Sequence, residues 1–427
     1  MKPRVRWAAA GLCALLLVCV CAAFRWSRPV TLTIGVFAGS NWDVPDPDCY
    51  APYHDAIARF RQLHPNVRIE YVSGIPREDY SEWLAEQMVL GQEPDLFLLP
   101  EEDLATLAGL GAMMDLDRMI RADEQVDAAA YYPAAWEAGQ VEGTTYALPY
   151  QCVPKMMFVN ETLLAEHGIE TPGPDWTWDD LYRICQAVTQ DADSDGHTDV
   201  YGCIGYTWLD AAVSNGVTPF DPSGKQCAFD DPRLRTSIEF YSRLDALTDG
   251  RVPDRDAFRK GKAAMQPMRF SSYRADEPYL RKIRRYGGFE WDCLPMPAGP
   301  QGDNVCELST LLFGMSARTD SPTMAWELLR LMTADTDYQR SVCAESSGLS
   351  GLRAVVRDYT ARAQTDAQLA LGQVDGAMEK AVARPTFRGY DSVKQYADSA
   401  IQSLLASGED LSGGLLGLQR ELTKMLE

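Results

Sequence analysis

The residues from Asp191 to Gly202, "DADSDGHTDVYG", have the spacing of an oxygen-ligand loop for calcium. Such a loop takes ligands at positions 1, 3, 5, 7 and 9, turns at a glycine in position 6, and closes on a bidentate glutamate at position 12. Asp191, Asp193, Asp195, His197 (through its carbonyl) and Asp199 occupy the first five, and Gly196 the turn. Position 12 is Gly202, so the closing carboxylate is missing. Two readings stand. One is a structural calcium site that relieves repulsion among the carboxylates. The other is a solvated acidic turn in which Asp193, Asp195 and Gly196 are turn formers.

Other reactive patterns are sparse. The histidines, His54, His64, His167 and His197, lack the arrangement of a Ser–His–Asp set or a two-histidine zinc helix. "GLSG" at 348–351 is not a G-x-S-x-G elbow, "GLG" at 109–111 follows a helix rather than a strand, and no P-loop occurs. A carboxylate pair such as Glu101 and Glu307 is the one glycosidase-like arrangement left open by counting. The chain therefore reads as a binder and not an enzyme, with no cofactor apart from the calcium.

At 427 residues the chain exceeds one ordinary core and calls for two lobes. Five basic residues, Lys2, Arg4, Arg6, Arg25 and Arg28, lie in the first 28 positions; removing them from the net −21 leaves −26 on the remainder. Such a body is repelled by nucleic acid, which is excluded as a partner. The basic residues flank an uncharged run, Trp7 to Phe24, that reads as an export signal. Its 18 residues just span a bilayer, so an uncleaved helix is one anchor. A lipid on Cys19 or Cys21 is the other, although valine precedes each. Either places the body on the extracytoplasmic face of the membrane. Eight cysteines follow the signal without a C-x-x-C pair, which excludes a zinc site and leaves disulfides or small core residues.

The elements that must position any site alternate. "VTLTIGVF" reads as a strand, "YHDAIARFRQLHP" as a helix, "VRIEYV" as a strand, "REDYSEWLAEQMVLG" as a helix, "DLFLLP" as a buried parallel strand and "EEDLATLAGLG" as a helix. This is an open α/β sheet. A second α/β lobe begins near "YALPYQCVPKMMFVN", and Thr177 is predicted to cap the helix "TWDDLYRICQAVTQ".

Six blocks in order resemble bacterial extracellular solute-binding proteins of the carbohydrate ABC-importer type, similar in plan to maltose-binding protein. They are "LTIGVFAGSNWD", "FRQLHPNVRIEYV", "LGAMMDLD", the stretch from "YALPYQCVPK" to "PDWTWDDL", "FRKGKAAM" and "SPTMAWELLRLMT". The resemblance implies a two-lobed periplasmic-binding-protein-like fold with hinge strands. The first lobe would comprise 29–149 with 297–350 and the second 150–296 with 351–427, after a 1–28 signal or anchor. It implies a monomer that captures a small carbohydrate between the lobes and delivers it to the permease subunits of an ABC transporter. The same fold as the ligand-binding subunit of a sugar sensor is the alternative, and an extracytoplasmic carbohydrate-active enzyme a more distant one.

Sugar offers hydroxyls on its rim and weakly polar faces, so its site needs planar stackers and flat polar groups in loops after strand ends. Asn41, Trp42 and Asp43 follow the first strand and are the first candidates, with a surface turn around a packed tryptophan as the alternative. Glu101 and Glu102 follow "DLFLLP" and accept hydroxyls or favour the next helix's positive end. Tyr150 and Gln151 occupy the crossover. The second lobe offers Tyr206 and Trp208, the latter a stacker or a core residue, with Arg269, Phe270 and Tyr273. Glu307 and Ser309 lie at the return crossover. Trp176 and Trp178 read as structural.

Overall fold

The computed structural model describes residues 30–42, 44–46, 48–248, 254–275, 288–366, 371–408 and 410–426. Asp43 and the basic–apolar segment that ends at Arg28 lie outside them. Among the described residues no helix is long and apolar enough to cross a membrane.

Eleven strands are described: β1 (Val30–Gly35), β2 (Val67–Val72), β3 (Leu96–Pro100), β4 (Gln140–Val141), β5 (Thr144–Thr145), β6 (Ala147–Asn160), β7 (Tyr201–Cys203), β8 (Ala263–Arg269), β9 (Trp291–Leu294), β10 (Glu307–Met315) and β11 (Val382–Ala383). All but the β4–β5 hairpin join one sheet in the order β2-β1-β3-β10-β6-β8-β7, with β9 on β6 and β11 on β10. In the first lobe β1 lies parallel between β2 and β3. Helices Ala51–Leu63 and Arg77–Leu90 make the crossovers. Gly91, at φ 67°, ends the second of these in the left-handed conformation that glycine adopts without a Cβ clash. Every residue of β3 is buried, as its apolar run requires.

The hinge is β6, a single 14-residue strand. Its first half, to Pro154, pairs antiparallel with β10, and its second half, from Lys155, pairs with β8 and β9. The register slips between Leu311 and Leu312, making Tyr150 the extra residue of a bulge. The bulge sends Tyr150 into the first-lobe core, where it stacks on Tyr53 and meets Phe313 edge-on. Its neighbour Gln151 reaches instead toward Trp42.

Three apolar cores result. One draws on 32–153 and 311–342, a second on 131–308 and 343–381, and a third on 208–238 and 387–422. Helix Trp178–Val188 buries Trp178, Leu181, Ile184, Cys185 and Val188 on one face, and a Thr177–Asp180 capping box starts it. The eight cysteines from Cys49 to Cys343 are free thiols, most of them buried, which is the small-core-residue reading.

Candidate functional site

The strand ends of the first lobe supply one wall of the inter-lobe cleft. After β1 the chain bends, and Trp42 turns inward. Its Nε1 donates to Oε1 of Gln151 at 3.0 Å, and both side chains are buried. A Cβ at Gly348 would meet the same two groups at 2.6 and 2.9 Å, so only glycine lets this loop lie over them. Beside Trp42, Asn41 Oδ1 accepts from Arg77 Nε at 2.6 Å, and Arg77 Nη2 reaches Glu102 at 2.7 Å. Arg77 thus ties two predicted residues together while its guanidinium covers the Phe37 ring at 5.5 Å. The recess lined by Phe37, Asn41, Trp42, Asp46 and Gln151 holds only about 20 Å³. That is room for a water, not a sugar ring.

The floor is polar. Glu101 is 5% exposed, and its Oε2 accepts from the backbone N–H of Thr310 on β10 at 2.8 Å. Burial pushes its carboxyl up to about 8, against the pull of that hydrogen bond and of Arg384, whose Nη1 lies 3.9 Å away. Arg384 also pairs with Asp391 and covers the Tyr390 ring at 5.2 Å. Lys155, the one charge in β6, pairs with Asp210 at 2.5 Å. Burial opposes the Lys155 ammonium, but Asp210 outweighs it and holds the pKa above its ordinary value. The other oxygen of Asp210 caps its own helix through Thr207. Arg269, the last residue of β8, is paired across the sheet with Lys155. On β10, Glu307 and Ser309 are half-buried while Leu308 and Thr310 are buried, so the first two face the cleft. Burial raises the Glu307 carboxyl, with Lys155 pulling the other way. Among the described residues neither the Glu307 carboxylate nor the Ser309 hydroxyl makes a hydrogen bond.

Five of the predicted site residues go elsewhere. Tyr150 is a core residue through the bulge. Tyr206 is buried edge-on to Phe240, and Phe270 stacks on Tyr273 at 5.0 Å inside the second core. Trp208 is not in a loop. Thr207 and Asp210 form a capping box, so helix Trp208–Ser214 begins at the tryptophan and buries it in the third core. Its Nε1 donates to Asp398 at 2.7 Å. The T-x-x-D pattern that correctly caps Thr177 recurs at Thr207 and carries this outcome. Arg77, Lys155, Asp210 and Arg384 were not predicted; of these, Lys155 had a sequence signal, a lone charge in an apolar strand.

The aspartate loop lies away from the cleft, between helix Trp178–Val188 and β7. The carboxylate oxygens of Asp191, Asp193 and Asp195 lie within 4.8 Å of one another and are exposed. Much of their capacity serves the loop itself: Asp191 accepts from the N–H of Asp195 and Gly196, and Asp195 from that of His197. Asp199 turns to the N–H of Ala192 and, at 3.8 Å, to Lys262. A glutamate at position 12 is sterically barred, because a Cβ on Gly202 would lie 2.2 Å from the Cα of Cys185. The three clustered carboxylates offer oxygen ligands of the type calcium takes; Asp199 does not join them.

His54 contacts Tyr71, His64 contacts Glu327, and His167 contacts the carbonyl of Leu163, all outside the cleft.

Known proteins resemble this chain over most of its length. An uncharacterised lipoprotein from the oleD 5′ region of Streptomyces antibioticus is 25% identical over 327 residues, 71% of this chain. The chain spans 66% of that relative, just under two thirds of its length. A probable ABC transporter-binding protein of Deinococcus radiodurans is 22% identical, covering 73% of this chain and 76% of its own. In fold, the chain is similar to the cyclic alpha-maltosyl-1,6-maltose binding protein of Arthrobacter globiformis, with a TM-score of 0.76 at 17% identity over 93% of this chain and 99% of that one. Residues 46–339, more than half of the chain, match the family described as bacterial extracellular solute-binding protein, and the chain belongs to that family.

Proposed function

We propose that the protein captures a neutral oligosaccharide outside the cell and delivers it to the permease subunits of a separate ABC importer. The observation that carries this reading is the cleft floor. Its charges are largely compensated among themselves, Lys155 by Asp210 and Arg384 by Asp391. Glu307 and Ser309 remain to meet hydroxyls, with Trp42 and Gln151 beside them. A floor of paired ions suits a ligand with many hydroxyls and no net charge. The names of the Arthrobacter and Deinococcus proteins support the sugar and the importer in turn.

Binding requires no covalent step, and we read the protein as a monomeric binder without enzymatic activity. It is held at the extracytoplasmic face by the residues before Val30, through lipid or an apolar helix. Calcium in the Asp191–Asp195 loop would brace the second lobe and supply no chemistry. The unliganded protein is mostly open on this reading, and ligand shifts it to the closed form.

A thermal-shift screen across neutral oligosaccharides, followed by small-angle scattering, tests the reading. A ligand at a hundredfold excess over Kd adds about 2.7 kcal/mol of stability, and the radius of gyration falls when it binds. Stabilisation by amino acids or peptides but by no saccharide would sink it.

A further inference from the structure

Helix Trp178–Val188 ends beside β7, the strand at the outer edge of the sheet. Three contacts fix how the two meet. The N–H of Gly202 donates to Thr189 Oγ1 at 3.0 Å, and Gln190 forms an isolated antiparallel bridge with Val200. A Cβ on Gly202 would lie 2.2 Å from the Cα of Cys185 and 2.7 Å from its Cβ, so glycine is what allows strand and helix this close. Cys203 is the next residue, one Cα step of about 3.8 Å along the chain. A disulfide joins Cα atoms about 4.4–6.8 Å apart. The backbone therefore brings Cys185 and Cys203 within bridging reach.

Their side chains meet as well. The Cys203 thiol hydrogen-bonds with the Cys185 thiol, and burial, then this neighbour, raises it above the ordinary thiol range. Cys152, Cys227 and Cys306 instead donate to carbonyls elsewhere, those of Ser350, Gln419 and Ala377. Cys185 and Cys203 are both thiols in this structure, the first buried and the second half-buried, so an oxidant reaches Cys203 first.

We propose that Cys185 and Cys203 are a redox pair that closes as an intramolecular disulfide and ties the edge strand to the end of the helix. The Cys203 thiolate attacks the disulfide of an oxidant, either a small molecule or a thiol–disulfide exchange protein; a mixed disulfide forms and one oxidant thiol leaves. The Cys185 thiolate then attacks the Cys203 sulfur and releases the second oxidant thiol. The two cysteine protons end on the departing thiolates, and two electrons reduce the oxidant. The bond closes residues 186–202, the acidic turn included, into a ring, which restricts the unfolded chain and stabilises the second lobe. That the pair meets an oxidant in the cell rests on the extracytoplasmic reading; the exchange itself does not.

The test uses the full chain in mild detergent, equilibrated at about pH 8.5, where thiolate is plentiful, with oxidised glutathione or with dithiothreitol. Remaining thiols are alkylated, the digested peptides are read by mass spectrometry, and both forms are melted. The oxidised chain should give a linked peptide holding Cys185 and Cys203, and its Tm should stand several degrees above that of the reduced chain. Cys203→Ser, and Cys185→Ala as a second variant that keeps the helix face apolar, should show neither the link nor the Tm difference. Oxidised protein whose Cys185 and Cys203 are alkylated, carry glutathione or bond to other cysteines overturns the pair, as does a Tm difference that persists in both variants. A link that forms in the purified chain but is missing from protein alkylated in intact cells upholds the pair and counts against the extracytoplasmic reading.

Discussion

The indole N–H of Trp42 donates to Oε1 of Gln151 at 3.0 Å, joining the loop after β1 to a hinge strand 109 positions later. Gly348, on the segment that leads from the first core into the second, lies over the pair. Three distant parts of the chain therefore meet at one buried hydrogen bond on the cleft wall.

Removing that bond should weaken ligand binding before it weakens the fold. Trp42→Phe keeps an aromatic face but leaves the Gln151 carbonyl buried without its donor, a penalty of about 1–3 kcal/mol. We expect a Kd raised about tenfold, the equivalent of 1.4 kcal/mol, and a similar loss for Gly348→Ala. Calorimetry with the ligand found in the saccharide screen measures both, and unchanged affinity in both would remove this wall from the site.

Glu101 should make stability fall with rising pH. Its carboxyl is raised from 4.5 to about 8, so between those values the folded protein holds a proton that the unfolded chain has released. Stability declines across that interval and levels above it, by an amount on the order of a few kcal/mol. Glu101→Gln can still accept from Thr310 and should flatten the slope. Denaturant titrations between pH 5 and pH 9 compare the two proteins, and parallel slopes would refute the assignment.

Trp208 should behave as a core residue. Its replacement by alanine empties part of the third core and removes the indole donor from Asp398, which keeps Lys394, at a cost of about 3–5 kcal/mol. Chemical denaturation reads this directly. A Trp208→Ala protein of normal stability that fails to bind ligand would return Trp208 to the cleft.

If calcium occupies the Asp191–Asp195 cluster, chelation should lower the Tm and leave ligand affinity intact, since the loop lies away from the cleft. Affinity in the range of about 10⁻⁴–10⁻³ M is expected for a loop without its closing glutamate. Melting curves with EDTA and with millimolar calcium decide it, and identical curves mean a bare acidic turn.

The order of elements was legible because periodicity and helix stops are local: the β1-to-β3 alternation and the Thr177 cap need no knowledge of partners. Trp42, Gln151, Glu307 and Ser309 could be proposed because they follow or occupy strand ends and crossovers. Tyr150 could not be separated from Gln151, because the bulge that parts them depends on the register of β10, more than 150 positions later. Trp208 misled because area and a preceding strand suggested a stacker, while the local Thr207–Asp210 cap was overlooked. Arg384 had no local signal at all; its role arises only where β11 meets β10.

The placement of β10 also constrains when the protein can mature. The first lobe's core needs residues 311–342, which lie beyond the whole 150–296 part of the second lobe in the chain. A polypeptide exported from its N-terminus has its leading half outside the membrane, with β3 lacking its β10 neighbour, until residue 315 has crossed. During that delay β3 presents an apolar edge open to mispairing. Secretion speed and extracytoplasmic chaperones should therefore govern the yield of this protein more strongly than they would for a chain whose lobes close one after the other.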